Sequence, residues 1–213
     1  MGQKFRGKAL ESRIQITGNS ARLSSVTRIV AGEKGGLRLN VPKSGTRPTS
    51  ERVREAMFSH LLCSGFPQGA MVLDLFAGSG ALGLEALSRG GVSAVFVDAA
   101  GSAAKVLRAN IDALHYRDRA RVLVKDAAKF VSELKPADCF DLIFLDPPYA
   151  LAPYVLSEIL AGLTAHLIPE GVMVLETSKK FPAPEIPSGL QAYAAKSYGD
   201  TLVTYLQQAQ GRG

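Results

Sequence analysis

This 213-residue sequence has no tryptophan, only two cysteines and no long apolar run. No stretch approaches the roughly 20 apolar residues of a membrane-spanning helix, and the N-terminus lacks the apolar core of a secretory signal. The two cysteines, Cys63 and Cys139, are too few for a disulfide framework or a zinc site. We interpret them as free thiols of a reducing compartment, which predicts a cytoplasmic location. The three histidines are scattered without ligand spacing, so we expect no metal.

Acidic residues are scarce at the N-terminal end. The chain has a net charge of +6, yet residues 1–54 contain twelve Lys or Arg and only three Glu. The remaining residues contain thirteen basic and sixteen acidic side chains. A basic segment on a mildly acidic body is typical of proteins that bind a polyanion such as nucleic acid. We expect five arginines to contact the nucleic acid: Arg28, Arg38, Arg47, Arg52 and Arg54.

The chain divides into three regions. Residues 1–26 have no clear hydrophobic period, and we interpret them as a flexible basic extension of open function. Short alternating runs on either side of a Gly-rich turn predict a β-hairpin and a connector over residues 27–48. Residues 49–213 form the main domain, which opens with an amphipathic helix that Thr49 can cap.

From residue 70 onward, short apolar runs alternate with helical segments. This alternation is typical of a doubly wound α/β fold with a mostly parallel sheet. Tyr198-Gly199-Asp200 is a candidate tight turn, so the last two strands should form a hairpin and place one antiparallel strand in the sheet. We predict seven strands, at 71–75, 93–97, 120–124, 141–146, 171–176, 190–197 and 201–206. We predict helices near 81–89, 101–114, 126–134 and 151–165.

A glycine-rich loop follows the first strand of this sheet. Gly78, Gly80 and Gly83 fit the G-x-G-x-x-G pattern of dinucleotide sites, in which the backbone approaches a ligand at a helix N-terminus. Asp74, at the end of the strand, would repel a pyrophosphate but suits a ligand that carries an ammonium and a sulfonium. The loop therefore favours a positively charged cofactor over NAD.

Two further acidic residues follow the next two strands. Asp98 ends the second strand and could accept hydrogen bonds from both hydroxyls of a ribose. Asp126 follows the third strand and could bind an adenine amino group. Each acid alone could instead cap a helix. Three carboxylates at the ends of three successive parallel strands indicate a single ligand site at that edge.

The segment Asp146-Pro147-Pro148-Tyr149 follows the apolar fourth strand, at the same edge of the sheet. Its two prolines lack N–H donors and stiffen the turn, which leaves carbonyl acceptors beside a carboxylate and an aromatic ring. Such groups suit an exocyclic amino group on a flat heterocycle, because they accept its N–H bonds and stack on its face. Taken alone, the same four residues could form only a rigid loop.

These motifs together resemble the class I S-adenosylmethionine-dependent methyltransferases. The segments TRIVAG, TRPTSERVREAMF, VLDLFAGSGALGLEALSRG, FLDPPY and YGDT are similar to the RsmD family, which methylates a guanine N2 in small-subunit (16S) ribosomal RNA. The resemblance runs from about Thr27 to the C-terminus and implies a Rossmann-like fold. It implies S-adenosyl-L-methionine as the cofactor, bound by Asp74, Phe76, Gly78, Ser79, Gly80, Asp98, Asp126 and Ala127.

The resemblance also implies roles in the reaction for the four residues of the D-P-P-Y turn. Asp146 and the carbonyl of Pro147 would accept the N–H bonds of the guanine amine, with Pro148 stiffening the turn and Tyr149 stacking on the base. The expected partner is small-subunit ribosomal RNA, naked or within a ribosomal particle. We expect a monomer with no membrane partner.

Other functions stay open at this point. An adenine-N6 or cytosine-N4 nucleic-acid methyltransferase would use the same turn, although a target-recognition domain is missing. An NAD-dependent oxidoreductase would rest on the glycine pattern alone. A non-catalytic RNA-binding assembly factor would explain the basic segment but not an intact D-P-P-Y. Glu176, at the end of the fifth strand, could line the pocket or cap a turn and has no assigned role.

Overall fold

The computed structural model describes residues 26–42 and 50–209. The predicted N-terminal hairpin is present, with strands β1 (Val26–Arg28) and β2 (Arg38–Asn40) paired antiparallel so that Arg28 lies opposite Arg38. Both strands are shorter than the alternating runs had indicated. The predicted flexible extension lies outside the described residues except for Val26, and Arg47 and Thr49 lie outside them as well.

The helices lie on both faces of a central sheet. Helices α1 (Glu51–Leu62), α2 (Ala81–Ser88) and α3 (Gly101–Leu114) bury their apolar residues in one core cluster. Helices α4 (Ala127–Ser132) and α5 (Pro153–Thr164) bury theirs in a second cluster. Because both faces are covered, the inner strands read as continuous apolar runs rather than as an alternating pattern. No helix in the described ranges is long and apolar enough to cross a bilayer.

The sheet has seven strands, as predicted, and their spatial order is β5-β4-β3-β6-β7-β9-β8. The first five strands of the sheet in sequence are parallel, and β9 pairs antiparallel with both of its neighbours. This topology confirms the predicted Rossmann-like, mostly parallel sheet with one antiparallel strand. The strands are β3 (Met71–Leu75), β4 (Ser93–Asp98), β5 (Ala120–Val124), β6 (Phe140–Leu145), β7 (Leu167–Ser178), β8 (Leu190–Tyr198) and β9 (Thr201–Gln208).

Two of the differences from the predicted boundaries have a clear physical cause. Strand β7 begins at Leu167 rather than at residue 171, since Leu167 pairs with Phe140 before a register shift separates it from the regular ladder. Pro169 and Gly171 conceal this early segment in the sequence. The cap of α1 is Ser50 rather than Thr49, because the Ser50 hydroxyl accepts a hydrogen bond from the Val53 N–H at 3.2 Å.

The hairpin packs against the end of α2 through Ser88. The Ser88 hydroxyl donates to the Ala31 carbonyl at 2.6 Å and accepts from the Lys34 N–H at 3.0 Å, while its carbonyl accepts from the Glu33 N–H at 2.8 Å. The backbone at Gly32 passes so close that a Cβ there would lie 1.9 Å from the Ser88 carbonyl oxygen. Gly32 also has a φ of +87°, which residues other than glycine rarely adopt.

We expect Gly32→Ala to destabilise the protein by about 2 kcal/mol or more, because it adds both backbone strain and a backbone clash at the docking point. Urea unfolding of the full chain measures the change. Gly101→Ala is the control, since Gly101 opens α3 with an ordinary φ and has open space around its Cβ position. Equal stability of the two variants would contradict this docking geometry.

Candidate active site

A cavity of about 370 Å³ lies at the carboxyl ends of β3, β4, β5 and β6. Open α/β sheets bind their ligands at this edge, beside the strand from which the following strands are added first on one side and then on the other. In this sheet that strand is β3. Seven of the eight residues predicted to bind the cofactor line it, as do two residues of the D-P-P-Y turn. These nine are Asp74, Phe76, Gly78, Ser79, Asp98, Asp126, Ala127, Asp146 and Pro148.

The glycine loop between β3 and α2 needs its unusual backbone. Phe76, Gly78 and Gly80 have φ values of 70°, 54° and 80°, all in the left-handed region. Phe76 is not a glycine, so its conformation is a local strain of the kind found at ligand sites. Gly80, the eighth predicted residue, does not line the cavity, and a Cβ there would lie 2.2 Å from Leu107 Cδ1. Gly80 therefore lets the loop pack closely on α3.

Gly83, the third glycine of the pattern, has two functions: it allows close helix packing and it donates a hydrogen bond to Asp74. A Cβ on Gly83 would lie 2.4 Å from the ring of Phe96, so glycine is what allows α2 to approach β4. The Gly83 N–H donates to Asp74 Oδ2 at 2.8 Å. Asp74 is 2% exposed, and burial raises the pKa of its carboxyl to about 7 despite that hydrogen bond, with the nearby Asp98 charge raising it further. A cationic group placed beside it would favour its ionised form.

The other two predicted acids take part in backbone hydrogen bonds at the rim. Asp98 Oδ2 accepts from the Gly78 N–H and its Oδ1 accepts from the Ala100 N–H, both at 2.8 Å. Asp126 is the N-cap of α4 and accepts from the Lys129 N–H at 3.0 Å. Both side chains also line the cavity, so capping and ligand contact are compatible here.

The D-P-P-Y turn separates the cavity from a second, smaller pocket. Asp146 lines the large cavity, Pro147 and Tyr149 line the small pocket, and Pro148 lines both. Tyr149 is 42% exposed, and its ring stacks on that of Phe181 with centroids 5.8 Å apart and an interplanar angle of 18°. The turn thus presents its groups toward both pockets.

The structure adds site residues that the sequence motifs did not indicate. Val41 and Pro42, at the end of the hairpin, form part of the cavity wall. Asn110 of α3 connects that hairpin to the glycine loop: its amide accepts from the Asn40 N–H and donates to the carbonyls of Asn40 and Ser79, each at 2.9 Å. In the sequence, the only indication of this role is that Asn110 interrupts the apolar face of α3. Asn110 belongs to none of the motifs described above.

The structure contradicts the prediction that Arg54 contacts RNA. Its side chain is fully buried, lies 3.5 Å from Glu85 Oε2, and donates to Thr27 Oγ1 and the Arg28 carbonyl. Burial lowers the pKa of its guanidinium, an effect that Glu85 opposes. A side chain enclosed in this way has no surface to offer RNA, so Arg54 is structural. Its sequence neighbours gave no sign of this, because the acidic partner is on another helix.

The other predicted RNA-binding arginines that the structure describes are exposed. Arg28 and Arg38 are cross-strand neighbours on the hairpin, and Arg52 lies on the first turn of α1. Arg28 also forms an ion pair with Glu51 at 2.8 Å. The arrangement leaves three cationic side chains on the surface of the N-terminal hairpin and the adjoining helix.

Comparison with known proteins now identifies the family. Residues 27–207 match the family model described as Conserved hypothetical protein 95, which corresponds to RsmD. The chain belongs to the RsmD family. It is 33% identical to Ribosomal RNA small subunit methyltransferase D of Escherichia coli strain K12, over 88% of this chain and 93% of that protein. YlbH of Bacillus subtilis strain 168 is 34% identical to this chain, over 83% of this chain and 96% of that protein.

A solved structure supports the same assignment for the RsmD-family chain. The yhhF protein of Escherichia coli superposes with a TM-score of 0.75 at 31% identity, covering 86% of this chain and 98% of that one. The chain is therefore a methyltransferase enzyme, and its cofactor is S-adenosylmethionine.

The residues around the cavity fit this cofactor. Its volume lies within the range of about 300–1,000 Å³ that is usual for small-molecule sites. A buried carboxylate at Asp74 is suited to an ammonium group, and the Asp98 carboxylate to hydroxyls. Within residues 26–42 and 50–209, no group of three or more His, Cys, Asp or Glu is placed to hold a metal ion. The expected independence from metal stays a prediction.

Proposed function

We propose that this protein methylates the exocyclic N2 amino group of a guanine in small-subunit (16S) ribosomal RNA. The carrying observation is the position of the D-P-P-Y turn between the cofactor cavity and a pocket lined by two stacked aromatic rings. An amine held at this turn would face the cavity on one side and leave its ring in the pocket on the other. The RNA named for the Escherichia coli relative supplies the substrate class.

Three acids divide the recognition of the cofactor in this proposal. Asp74 pairs with the ammonium of the methionine portion, Asp98 accepts from the ribose hydroxyls, and Asp126 with Ala127 holds the adenine. Phe76, Gly78 and Ser79 form the surrounding loop, which Gly80 allows to pack. S-adenosylmethionine supplies an electrophilic methyl group when it is bound.

Asp146 and Pro147 overcome the poor nucleophilicity of the amine. The lone pair of guanine N2 is delocalised into the ring, so the nitrogen must be drawn toward sp³ geometry before it can react. The Asp146 carboxylate and the Pro147 carbonyl accept its two N–H bonds and thereby orient the lone pair toward the cavity. The alkylated nitrogen loses a proton readily, so Asp146 need not be a strong base. Tyr149 stacks on the unstacked base and fixes its plane.

The hairpin and the start of α1 provide the RNA-binding surface in this proposal. Phosphate contacts from Arg28, Arg38 and Arg52 would position the substrate. Arg47 lies outside the described residues, and its contact with RNA stays a prediction. The hairpin also contributes Val41 to the cavity wall. Substrate contact and cofactor site therefore share one structural element. We propose a monomeric enzyme that acts on ribosomal RNA in the cytoplasm, either naked or in an assembling particle.

Methyl transfer from labelled S-adenosylmethionine tests the substrate class. We expect incorporation into small-subunit ribosomal RNA or into small-subunit particles, and none into large-subunit RNA or duplex DNA. An assembly factor without catalytic activity would bind the particles but transfer no label. Preferential labelling of DNA would support the alternative of an adenine-N6 or cytosine-N4 DNA methyltransferase instead.

Arg38→Ala and Arg52→Ala are each expected to weaken RNA binding and to reduce the slope of log K against log salt concentration by about 1, as the loss of one phosphate contact does. Lys135→Ala is the control, because Lys135 precedes β6 at the opposite edge of the sheet. Filter binding or anisotropy across a salt series measures the slope. An unchanged slope in both arginine variants would remove the hairpin and α1 from the RNA interface.

Asp74→Asn is expected to change the pH dependence of stability and of cofactor binding. The pKa of Asp74 is raised from 3.8 to about 7, so its stabilising contribution without cofactor is present below pH 3.8 and is lost as the pH rises through 7. The variant keeps an acceptor for Gly83 and should melt at a higher temperature than the wild type above pH 7. Its affinity for the cofactor should be lower.

Calorimetry with the cofactor separates the two effects. Wild-type affinity should fall as the pH is lowered from 7.5 to 6, because Asp74 must release a proton to pair with an ammonium. The variant should show little of this dependence. An identical pH profile in both proteins would mean that the ammonium binds elsewhere.

A further inference from the structure

Asn110 is a buried polar side chain that contacts both the N-terminal hairpin and the glycine loop. It is 1% exposed. Its Oδ1 accepts a hydrogen bond from the Asn40 N–H, and its Nδ2 donates to the carbonyls of Asn40 and Ser79, each at 2.9 Å. The side-chain amide thus acts as an acceptor and as a double donor at the same time. Neither an ionised carboxylate nor an apolar side chain of similar size can form this set of bonds.

The Asn110 amide extends the hydrogen bonding of the hairpin. Asn40 lies opposite Val26 in the ladder of β1 and β2, yet its N–H and its carbonyl both bond to Asn110. These backbone groups therefore face away from β1, and Asn110 takes the position that a third strand would occupy. A ribbon of two three-residue strands has little stability of its own. Its position thus depends on contacts with the main domain.

Strand β2 connects the proposed RNA contact to the cofactor cavity within a few residues. Arg38 and Asn40 lie on the same face of the strand, and both are exposed to solvent. The chain continues directly into Val41 and Pro42, which line the cavity. A phosphate held by Arg38 and a ligand in the cavity would therefore act on one short stretch of backbone. Asn110 binds that stretch between the two ligand sites.

The face of α3 that includes Asn110 also supports the glycine loop. Ala103, Leu107 and Asn110 are buried and follow one another at helical spacing. Ala103 lines the cavity, and Leu107 lies against Gly80. Asn110 holds the carbonyl of Ser79, which lines the cavity as well. One helix face thus fixes the glycine loop, while its last residue reaches the hairpin.

We propose that Asn110 is a positioning residue that couples RNA binding at the hairpin to cofactor binding at the glycine loop, so that each ligand binds more tightly when the other is present. The inference rests on the proposed role of the hairpin in RNA binding. The two states are the docked hairpin of this structure and an undocked one. A cofactor that contacts Val41 and Ser79 favours the docked state, which presents Arg38 to the RNA. The entropy lost in ordering the hairpin is then shared by the two ligands.

The coupling is measured first in the wild-type protein. S-adenosylhomocysteine fills the cofactor site without transferring a methyl group. The affinity for the small-subunit RNA or particle that the enzyme methylates should rise at least about 5-fold when this compound is saturating, and its own affinity should rise by the same factor with RNA present. Hydrogen exchange of the Asn40 amide should slow in parallel, since that N–H bonds to Asn110. Affinities that do not depend on the second ligand would overturn the proposal without any variant.

Two substitutions of Asn110 break the connection while they keep the volume of the side chain. Asn110→Asp retains an acceptor for the Asn40 N–H but, when ionised, cannot donate to the Ser79 carbonyl, and Asn110→Leu removes all three bonds. In either variant, S-adenosylhomocysteine should change the RNA affinity by less than about 2-fold. Coupling of the wild-type size in a folded variant would overturn the role of Asn110.

Ser88→Ala is the matched control, because it loosens the hairpin at its other end. The variant loses the hydroxyl bonds to the Ala31 carbonyl and the Lys34 N–H, so it should unfold at a lower urea concentration than the wild type. Its coupling should be at least that of the wild type, since the connection through Asn110 is intact. Equal loss of coupling in Ser88→Ala and in the Asn110 variants would mean that Asn110 has only a structural role.

The proposed function and the proposed coupling can fail separately. If the wild-type enzyme forms N2-methylguanosine but its RNA affinity does not respond to S-adenosylhomocysteine, the function stands and the coupling is wrong. If the enzyme methylates another base and the affinities are coupled through Asn110, the proposed acceptor is wrong and the role of Asn110 stands. Nucleoside analysis and the two affinity measurements on the same protein preparation distinguish these outcomes.

Discussion

Replacing Asp146 with alanine is expected to lower turnover by about 10³-fold or more while cofactor affinity stays within a few-fold of the wild type. The carboxylate directly follows β6, and in the proposed mechanism it accepts an N–H bond of the amine and orients the lone pair. Removing it leaves the acceptor nitrogen planar and poorly aimed, but leaves Asp74 and Asp98 in place. Single-turnover methyl transfer and calorimetry with S-adenosylmethionine measure the two quantities independently.

Asp146→Asn is the informative companion variant. The amide retains one acceptor oxygen but loses the charge and gains a donor, so we expect an intermediate loss of turnover. Glu158→Gln, an exposed carboxylate on α5, serves as the control and should behave as the wild type. If alanine at position 146 reduced cofactor affinity as much as turnover, Asp146 would be a structural residue of the cavity rather than a catalytic one.

The largest loss of stability is expected from Glu85→Ala, at about 3–5 kcal/mol. The Glu85 side chain is fully buried and accepts from the Val30 N–H at 2.7 Å, the Ala31 N–H at 3.0 Å and Arg89 Nε at 2.7 Å. It also lies beside the buried guanidinium of Arg54. Its removal leaves a buried charge uncompensated and two backbone donors without their acceptor.

Chemical denaturation of the full chain measures this effect, and a pair of arginine variants separates structure from RNA contact. Arg54→Met should destabilise the protein, because it leaves the Thr27 hydroxyl and the Arg28 carbonyl without the donor that the buried Arg54 guanidinium provides. Arg52→Met, two residues earlier and exposed, should leave stability within about 0.5 kcal/mol but weaken RNA binding. A Glu85→Ala protein within about 1 kcal/mol of the wild type would contradict the buried network.

The strands of the sheet were predictable because burial on both faces leaves a strong apolar signal. The predicted ranges 71–75 and 120–124 match β3 and β5 without a shift. The start of β7 was not predictable, since it depends on a bulge opposite Phe140 that involves a distant part of the chain. The hairpin strands were too short to give a reliable period. Local sequence patterns thus predicted where the strands and helices lie better than they predicted where each one begins and ends.

The candidate site shows the same division between local motifs and distant contacts. The acids Asp74, Asp98 and Asp126 could be predicted because each lies at or just beyond the carboxyl end of a parallel strand, and the topology of the fold brings such ends together. Arg54 was misinterpreted because buried and exposed arginines look identical in a sequence. The ring contact between Tyr149 and Phe181 was not predictable, because the two residues lie on different strand-end loops. No motif marks a pair that exists only after folding.

The identity of the methylated nucleoside tests the central claim most directly. Small-subunit RNA, naked and in particles, is incubated with the enzyme and labelled S-adenosylmethionine, digested to nucleosides and analysed by mass spectrometry. The proposed geometry predicts N2-methylguanosine as the labelled product, absent when the Asp146→Ala enzyme is used. Label in methyladenosine or methylcytidine would contradict the assignment of guanine N2 as the acceptor.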